Sequence, residues 1–256
     1  MAIDRTRRQK RTAVRASIKR LLAAAAFSVL VLSSLHLYNY LTTAEWLAVE
    51  EIQLEGVCRI NPAVLETLLD DIRGQNILLI SLDRYTQRIA GHPRIREATI
   101  RRVLPNRVVC RVEEREPVAL IFAGRFFEVD AYGMVLGEDD LSQVLDLPII
   151  TGISKDDASE GRICKDARLQ DALETLEYCK RFGGRFAQDI SELKVGTGGI
   201  TIVSLKENST LLLGDSDYEN RLKKYFLLRD SITEQEQSAK VIDLRFEDQV
   251  VFRNKI

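Results

Sequence analysis

Residues able to carry acid–base, nucleophilic or metal chemistry are sparse in this sequence, and their spacing argues against a reaction centre. There are two histidines, His36 and His92. His92 stands before Pro93, where forming a turn accounts for it, and it is not placed as a general base would be. His36 lies toward the outer end of a long apolar run, where an imidazole is either a functional intramembrane group or one tolerated near the interface. Cys58, Cys110, Cys164 and Cys179 are separated by 52, 54 and 15 residues, which matches no zinc, haem or Cys-x-x-Cys pattern. In an oxidising compartment Cys58 and Cys110 can bridge if their strands are neighbours; buried free thiols are the alternative. Gly196-Thr197-Gly198-Gly199 is rich enough in glycine to cradle a phosphate, but such a loop has to open a helix. It precedes the extended run GITIVSL and reads as a hairpin turn. The acidic clusters Glu138-Asp139-Asp140 and Lys155-Asp156-Asp157 lack the spacing of a calcium loop and read as solvated turns. No Gly-x-Ser-x-Gly elbow is present. The expectation is a protein without catalytic residues, metal or cofactor.

The elements around these residues point instead to an anchored, exported chain. Residues 1–20 hold eight bases against Asp4, a charge of +7 in a chain whose total is −1. From Leu21 to Ala44 no charged residue occurs. At about 1.5 Å rise per residue these positions reach roughly 36 Å, enough to cross a hydrocarbon core of about 30 Å. Tyr38, Tyr40 and Trp46 mark the exit, where amphipathic rings favour the headgroup layer. Bases before the span and Glu45, Glu50, Glu51 and Glu55 after it place the N-terminus in the cytoplasm and the rest in the periplasm. Thr42-Thr43-Ala44 is a poor cleavage site, so an uncleaved anchor is expected rather than a signal peptide. The basic tail abuts the span without aromatic interleaving, which suits anionic lipid headgroups and not nucleic acid.

Beyond the span, residues 45–117 read as one module. Residues 52–54 alternate as a short strand, Asn61-Pro62 caps a helix carrying Val64, Leu65, Leu68, Leu69 and Ile72, and Leu82, Tyr85 and Ile89 suggest a second, shorter helix. Residues 95–103 and 107–114 then form a hairpin around Pro105-Asn106. Residues 118–256 read as strands with two helices, one bearing Leu169, Ala172, Leu173, Leu176 and Cys179, the other Tyr218, Leu222 and Phe226. The strand candidates are 118–122, 125–130, 190–195, 199–205, 209–213, 240–246 and 249–253, and tight polar turns between them suggest antiparallel pairing. The fold class is α+β: a transmembrane helix, a β-α-α-β-β module and a mainly antiparallel β domain with two helices.

The β-α-α-β-β order beside an anchor resembles a POTRA domain. HPRIREATIRRVLPNRVVCRVEEREPVA, residues 92–119, resembles a pattern of the FtsQ/DivIB family through His92, Pro93, Arg101, Pro105, Glu114, Arg115, Pro117, Val118 and Ala119. FFEVDAYGMVLG, with Val129-Asp130 and Gly133, and VIDLRFEDQVVFR, residues 241–253, resemble that family's later hairpin and its closing strands. The likeness implies a divisome scaffold in the inner membrane, enriched at the septum. It implies FtsB and FtsL as periplasmic partners, with FtsK and the septal synthase complex FtsW/FtsI as further contacts. In this family the closing strands receive a strand from FtsB, with the aromatic after Leu-Arg contributing. That correspondence puts partner binding on Arg245, Phe246, Asp248, Val250, Val251 and Phe252, and a terminal apolar strand has a good chance of lying at a sheet edge. A strand that simply closes the core is the alternative for the same residues, and both hold if one face packs inward. An outer-membrane assembly factor with POTRA architecture would need a many-stranded barrel, which the 139 residues after Pro117 do not supply. An anchored envelope enzyme is the remaining alternative, disfavoured by the missing nucleophile and base.

Overall fold

The computed structural model describes residues 2–138, 146–205, 208–229, 240–247 and 249–253, with side chains from residue 19 onward except at 138. Helix α1, Ala2–Thr43, contains Lys19–Thr43, a segment long and apolar enough to cross a membrane, with mean hydropathy 1.9. By packing the chain divides into two units: Met1–Glu55, Asn61–Thr86 and Thr99–Arg111 form the first, and Gly56–Ile60, Gln87–Ala98 and Val112–Ile256 the second.

Strand β1 (Glu51–Glu55) is followed by helix α2 (Pro62–Leu69), helix α3 (Leu82–Ala90) and strands β2 (Ile95–Val103) and β3 (Arg107–Glu114). Asn61 caps α2 as its sequence demands, its side chain accepting from the Ala63 amide at 3.0 Å, with Pro62 at the first helical position. The sheet order is β1-β3-β2, with β1 parallel to β3, so β3 is central and carries buried residues on both faces, Val109 as well as Val108 and Cys110. On α2 and the short 3-10 turn after it, Leu65, Leu69 and Ile72 are fully buried. Val64 is exposed and Leu68 only half-buried, so the apolar stripe is narrower than its sequence spacing suggests.

The remaining strands, β4 (Pro117–Phe122), β5 (Phe126–Asp130), β6 (Val135–Glu138), β7 (Ile149–Thr151), β8 (Ile190–Gly196), β9 (Gly199–Ser204), β10 (Ser209–Gly214), β11 (Val241–Asp243) and β12 (Val251–Arg253), form one sheet ordered β12-β11-β10-β9-β8-β7-β4-β5-β6. Helix α4 (Ala167–Phe182), followed by a short α5 (Arg185–Asp189), connects β7 to β8, and helix α6 (Tyr218–Arg229) connects β10 to β11. The sheet is mostly antiparallel, but β4/β7, β7/β8 and β10/β11 pair parallel. Two of these parallel neighbours need a crossover, and α4 and α6 supply it. The paired positions Ile121, Ile150, Leu193, Ile202, Leu211 and Ile242 make an unbroken apolar row on which both helices pack. On the opposite face the parallel row reads Phe122, Thr151, Lys194, Thr201, Leu212 and Asp243.

Replacing the fully buried Leu65 by Ala should cost about 2–5 kcal/mol, because it removes transfer energy and leaves a cavity. Arg96, half-exposed and paired with Glu113 at 3.2 Å, should tolerate Ala within about 1 kcal/mol. Urea unfolding of the two variants in detergent, followed by circular dichroism, measures both.

Candidate partner-binding edge

The two ends of the nine-stranded sheet are finished differently. Strand β6 is covered by its own chain. Val135 N–H donates to the Arg162 carbonyl at 3.0 Å, Gly161 N–H to Val135 at 2.9 Å and Cys164 N–H to Gly133 at 2.9 Å. Met134 bridges Ile163. Strand β12 pairs with β11 through Val241↔Arg253, Ile242↔Phe252 and Asp243↔Val251, and among the described residues nothing pairs with its other side. An antiparallel strand sends only half of its backbone groups to one neighbour, so the outward N–H and C=O groups of β12 have no partner among the described residues.

The register decides what each predicted site residue does. Phe252 faces Ile242 and extends the apolar row, and both Phe252 and Val250 pack against the core. Val251, opposite Asp243, lies half-buried on the helix-free face. Phe246 is 40% exposed in the bend between the strands, beside exposed Arg245. Asp248 lies outside the described residues. The strands are also shorter than the expected 240–246 and 249–253, since each ladder run spans three residues. Among the described ones of these residues, the structure separates Val250 and Phe252, which pack on the core, from Arg245 and Phe246, which stay exposed.

A residue that pattern reading did not single out organises the bend. Asp243 is fully buried although it sits on the helix-free face. Its carboxylate accepts from Arg245 Nε at 2.8 Å and Nη2 at 2.7 Å, a bidentate pair, and from the Arg245 backbone N–H at 3.2 Å. Arg253 Nη2 stands 3.6 Å away, so a guanidinium from each side of the hairpin covers one acid. The Arg245 hydrogen bonds hold the Asp243 carboxyl below the usual carboxylate range, against the opposing effect of burial. The signal for it was an acid inside the apolar run Val241-Ile242-Asp243-Leu244. Lys224 Nζ donates to the Glu247 carbonyl, which ties the bend to α6. Beside Arg245 a hollow of about 310 Å³ is lined by Lys194, the 196–199 turn, Leu212 and Gly214. Gly199 there has φ +87°, and a Cβ on it would stand 1.5 Å from the Gly214 carbonyl oxygen, so only glycine fits.

The remaining chemistry-bearing residues have structural surroundings. His92 is half-buried, its Nδ1 accepting from Arg94 N–H at 3.2 Å, and desolvation lowers its pKa. All four cysteines are free; burial pushes the Cys110 thiol up to about 11 and Cys179 up to about 12. The sequence also holds Ser191-x-x-Lys194, a spacing that serves acyl transfer on a helix. It lies on strand β8 and not on a helix, with Ser191 Oγ bonded to the Val203 carbonyl and Lys194 3.5 Å from Glu192. Among the described residues no cluster of three or more His, Cys, Asp or Glu could hold a metal ion.

Comparison with known proteins places this geometry among relatives. The family model described as POTRA domain, FtsQ-type, matches residues 47–115, and that described as Cell division protein FtsQ/DivIB, C-terminal, matches residues 119–245. The cell division protein FtsQ of Syntrophotalea carbinolica is 32% identical over 223 residues, covering 81% of this chain and 78% of that protein. FtsQ of an Anaeromyxobacter species is 30% identical over 78% of this chain and 68% of its own length. FtsQ of a Geobacter species is 26% identical over 85% and 80%.

The buried Asp243 makes an acid-stability prediction. Its folded pKa lies below its unfolded value, so its ion pair stabilises fully above the unfolded pKa and is lost as pH falls through the folded one. Asp243→Asn should cost about 1–3 kcal/mol near neutral pH and flatten the decline in stability below about pH 4. Denaturant unfolding of both forms between acid and neutral pH measures it.

Proposed function

The chain belongs to the FtsQ/DivIB family of cell division proteins, and from that premise we propose that it is a non-enzymatic divisome scaffold whose β12 edge receives a strand from FtsB. One observation carries this reading: β6 is covered by the chain's own backbone, whereas β12 has no outer partner among the described residues. A partner strand added there gains affinity from main-chain hydrogen bonds and specificity from side chains at the rim. Phe246 and Arg245 are the exposed side chains placed for that, and Val251 flanks them on the helix-free face. An aromatic beside an arginine is a composition enriched among interface hot spots. Arg245 offers charge to an acidic segment of the partner.

FtsL joins through FtsB, and the complex acts on septal peptidoglycan synthesis by way of FtsW/FtsI. The module over residues 45–117 serves recruitment to the septum, with FtsK among its contacts, and residues 118–256 serve FtsB and FtsL. The protein crosses the inner membrane once, by a segment within residues 21–44, with residues 1–20 cytoplasmic and both later parts periplasmic. The positive tail and the charge-free run support that orientation.

Phe246→Ala and Val251→Pro should each weaken binding to the periplasmic segment of FtsB at least tenfold, one by removing a hot-spot ring and the other by breaking the β11–β12 pairing that holds the edge strand in place. Unchanged circular dichroism shows that the domain stays folded, and wild-type affinity in folded variants rejects this edge as the interface. Depletion in the native host should give filaments, and normal division would remove the scaffold reading. Reporter fusions should place residue 10 in the cytoplasm and residue 256 in the periplasm, and a mature N-terminus near Glu45 would overturn the anchor.

A further inference from the structure

We propose that Trp46, Leu78 and Leu79 form a docking surface for the lipid–water interface, so that the turn at residues 76–80 rests on the same bilayer that α1 spans. The inference depends on the reading of α1 as a membrane anchor. Its starting point is the outer end of that helix, whose last carbonyls lack intrahelical donors. Asn76 supplies them: its Nδ2 donates to the Leu41 carbonyl at 2.8 Å and the Thr42 carbonyl at 3.0 Å. Three backbone bonds hold the same place, Val49 N–H to Gln75 at 2.9 Å, Gly74 N–H to Val49 at 2.9 Å and Ile77 N–H to Leu47 at 2.8 Å. The segment after the helix is thus laddered to residues 74–77.

From Asn76 the chain reaches Leu79 within about 10 Å, at no more than about 3.5 Å per residue. The headgroup layer on each side of a bilayer is roughly 5–8 Å thick. Any turn fixed to Leu41 and Thr42 therefore starts at the edge of the hydrocarbon and stays within reach of the headgroups.

The turn is built to hold its leucines outward. Ile77 and Ile80 are buried, at 0% and 3% exposure, whereas Leu78 and Leu79 are 42% and 59% exposed. Leu78 N–H donates to Asn76 Oδ1 at 3.0 Å and Leu79 N–H to the Asn76 carbonyl at 2.9 Å. On the inner side Arg102 donates from Nε to the Ile77 carbonyl at 2.7 Å and from Nη2 to the Ile80 carbonyl at 2.6 Å. With the backbone clamped from both sides, the leucines cannot turn into the core. A turn tip in water normally carries Gly, Asn, Asp, Ser or Pro, and two adjacent leucines there call for an apolar neighbour. Trp46, 52% exposed, stands at the helix exit together with Tyr38 and Tyr40 on the helix itself, the aromatic belt of an interface. Lipid is the one apolar neighbour that the helix end guarantees.

Trp46 is the chain's single tryptophan, so Trp46→Phe gives a silent background for fluorescence. Into it are placed Phe27→Trp within the span, Leu79→Trp at the turn, and Val64→Trp at an exposed position of α2. Each full-length variant is reconstituted without other proteins into phosphatidylcholine–phosphatidylglycerol vesicles containing lipid brominated near the head of the acyl chain. Tryptophan at 27 and at 79 should be quenched several-fold more than at 64. Quenching at 27 with position 79 no different from 64 overturns the docking surface and leaves the anchor standing. No excess quenching at 27 overturns the anchor, and the docking surface with it.

Discussion

The last strand of an open sheet must leave half of its backbone N–H and C=O groups without a ladder partner, and the second unit of this protein depends on where those groups end up. Nine strands cannot close on themselves in the order observed, so two edges exist. Both crossover helices pack on one face, along the row from Ile121 to Ile242. The loop through Gly161 and Cys164 closes the β6 side instead. Among the described residues the β12 side is left with a three-residue strand that includes Arg253, and a short strand carrying a charge restrains indiscriminate pairing.

Buried carboxylates set the positions around this sheet, and each is matched by bases or amides, as burial of charge requires. Glu128 and Asp130 lie two residues apart on β5 and are both buried. Arg94 pairs with Glu128, and Arg115 Nη1 lies 2.7 Å from Asp130, whose Oδ1 also accepts from the Tyr132 and Met134 amides. Glu114 accepts from three successive amides, Cys58 at 2.8 Å, Arg59 at 2.8 Å and Ile60 at 3.2 Å. The run Glu114-Arg115-Glu116-Pro117 therefore has a structural reading: one residue fixes a turn, one fixes a buried acid, and the proline opens β4, where a strand tolerates it. Asp243 repeats the device at the far edge with Arg245 and Arg253.

Local rules made part of this visible in the sequence. The Asn61-Pro62 cap, the five-residue stripe of α4 and the turn at 196–199 needed only nearest-neighbour chemistry, and they stand where spacing put them. Strands β6 and β7 did not show, because runs of four and three residues give no periodicity to read. The parallel pairings did not show either, since the partner of β10 is separated from it by a helix, and register is a property of two distant segments. For the candidate site, the exposed pair Arg245-Phe246 was legible. The inward turn of Val250 and Phe252 was not, because an apolar residue near a chain end reads the same whether it faces a core or a partner.

That inward turn changes what the edge can recognise. With Phe252 extending the core row, few side chains would be left for the proposed partner, and the main chain of β12 would have to supply much of the contact. A guanidinium has five N–H donors, and Asp243 engages only the Nε and Nη2 side of Arg245. Among the described residues nothing engages the Nη1 donors, on a side chain that is 48% exposed yet already fixed in orientation. A free surface arginine would lose rotamer entropy on meeting an acidic partner, whereas this one has lost much of it on folding. For the strand addition proposed at this edge, the buried acid would lower the cost of recognition without touching the partner, because the charge it engages within the fold fixes Arg245 beforehand.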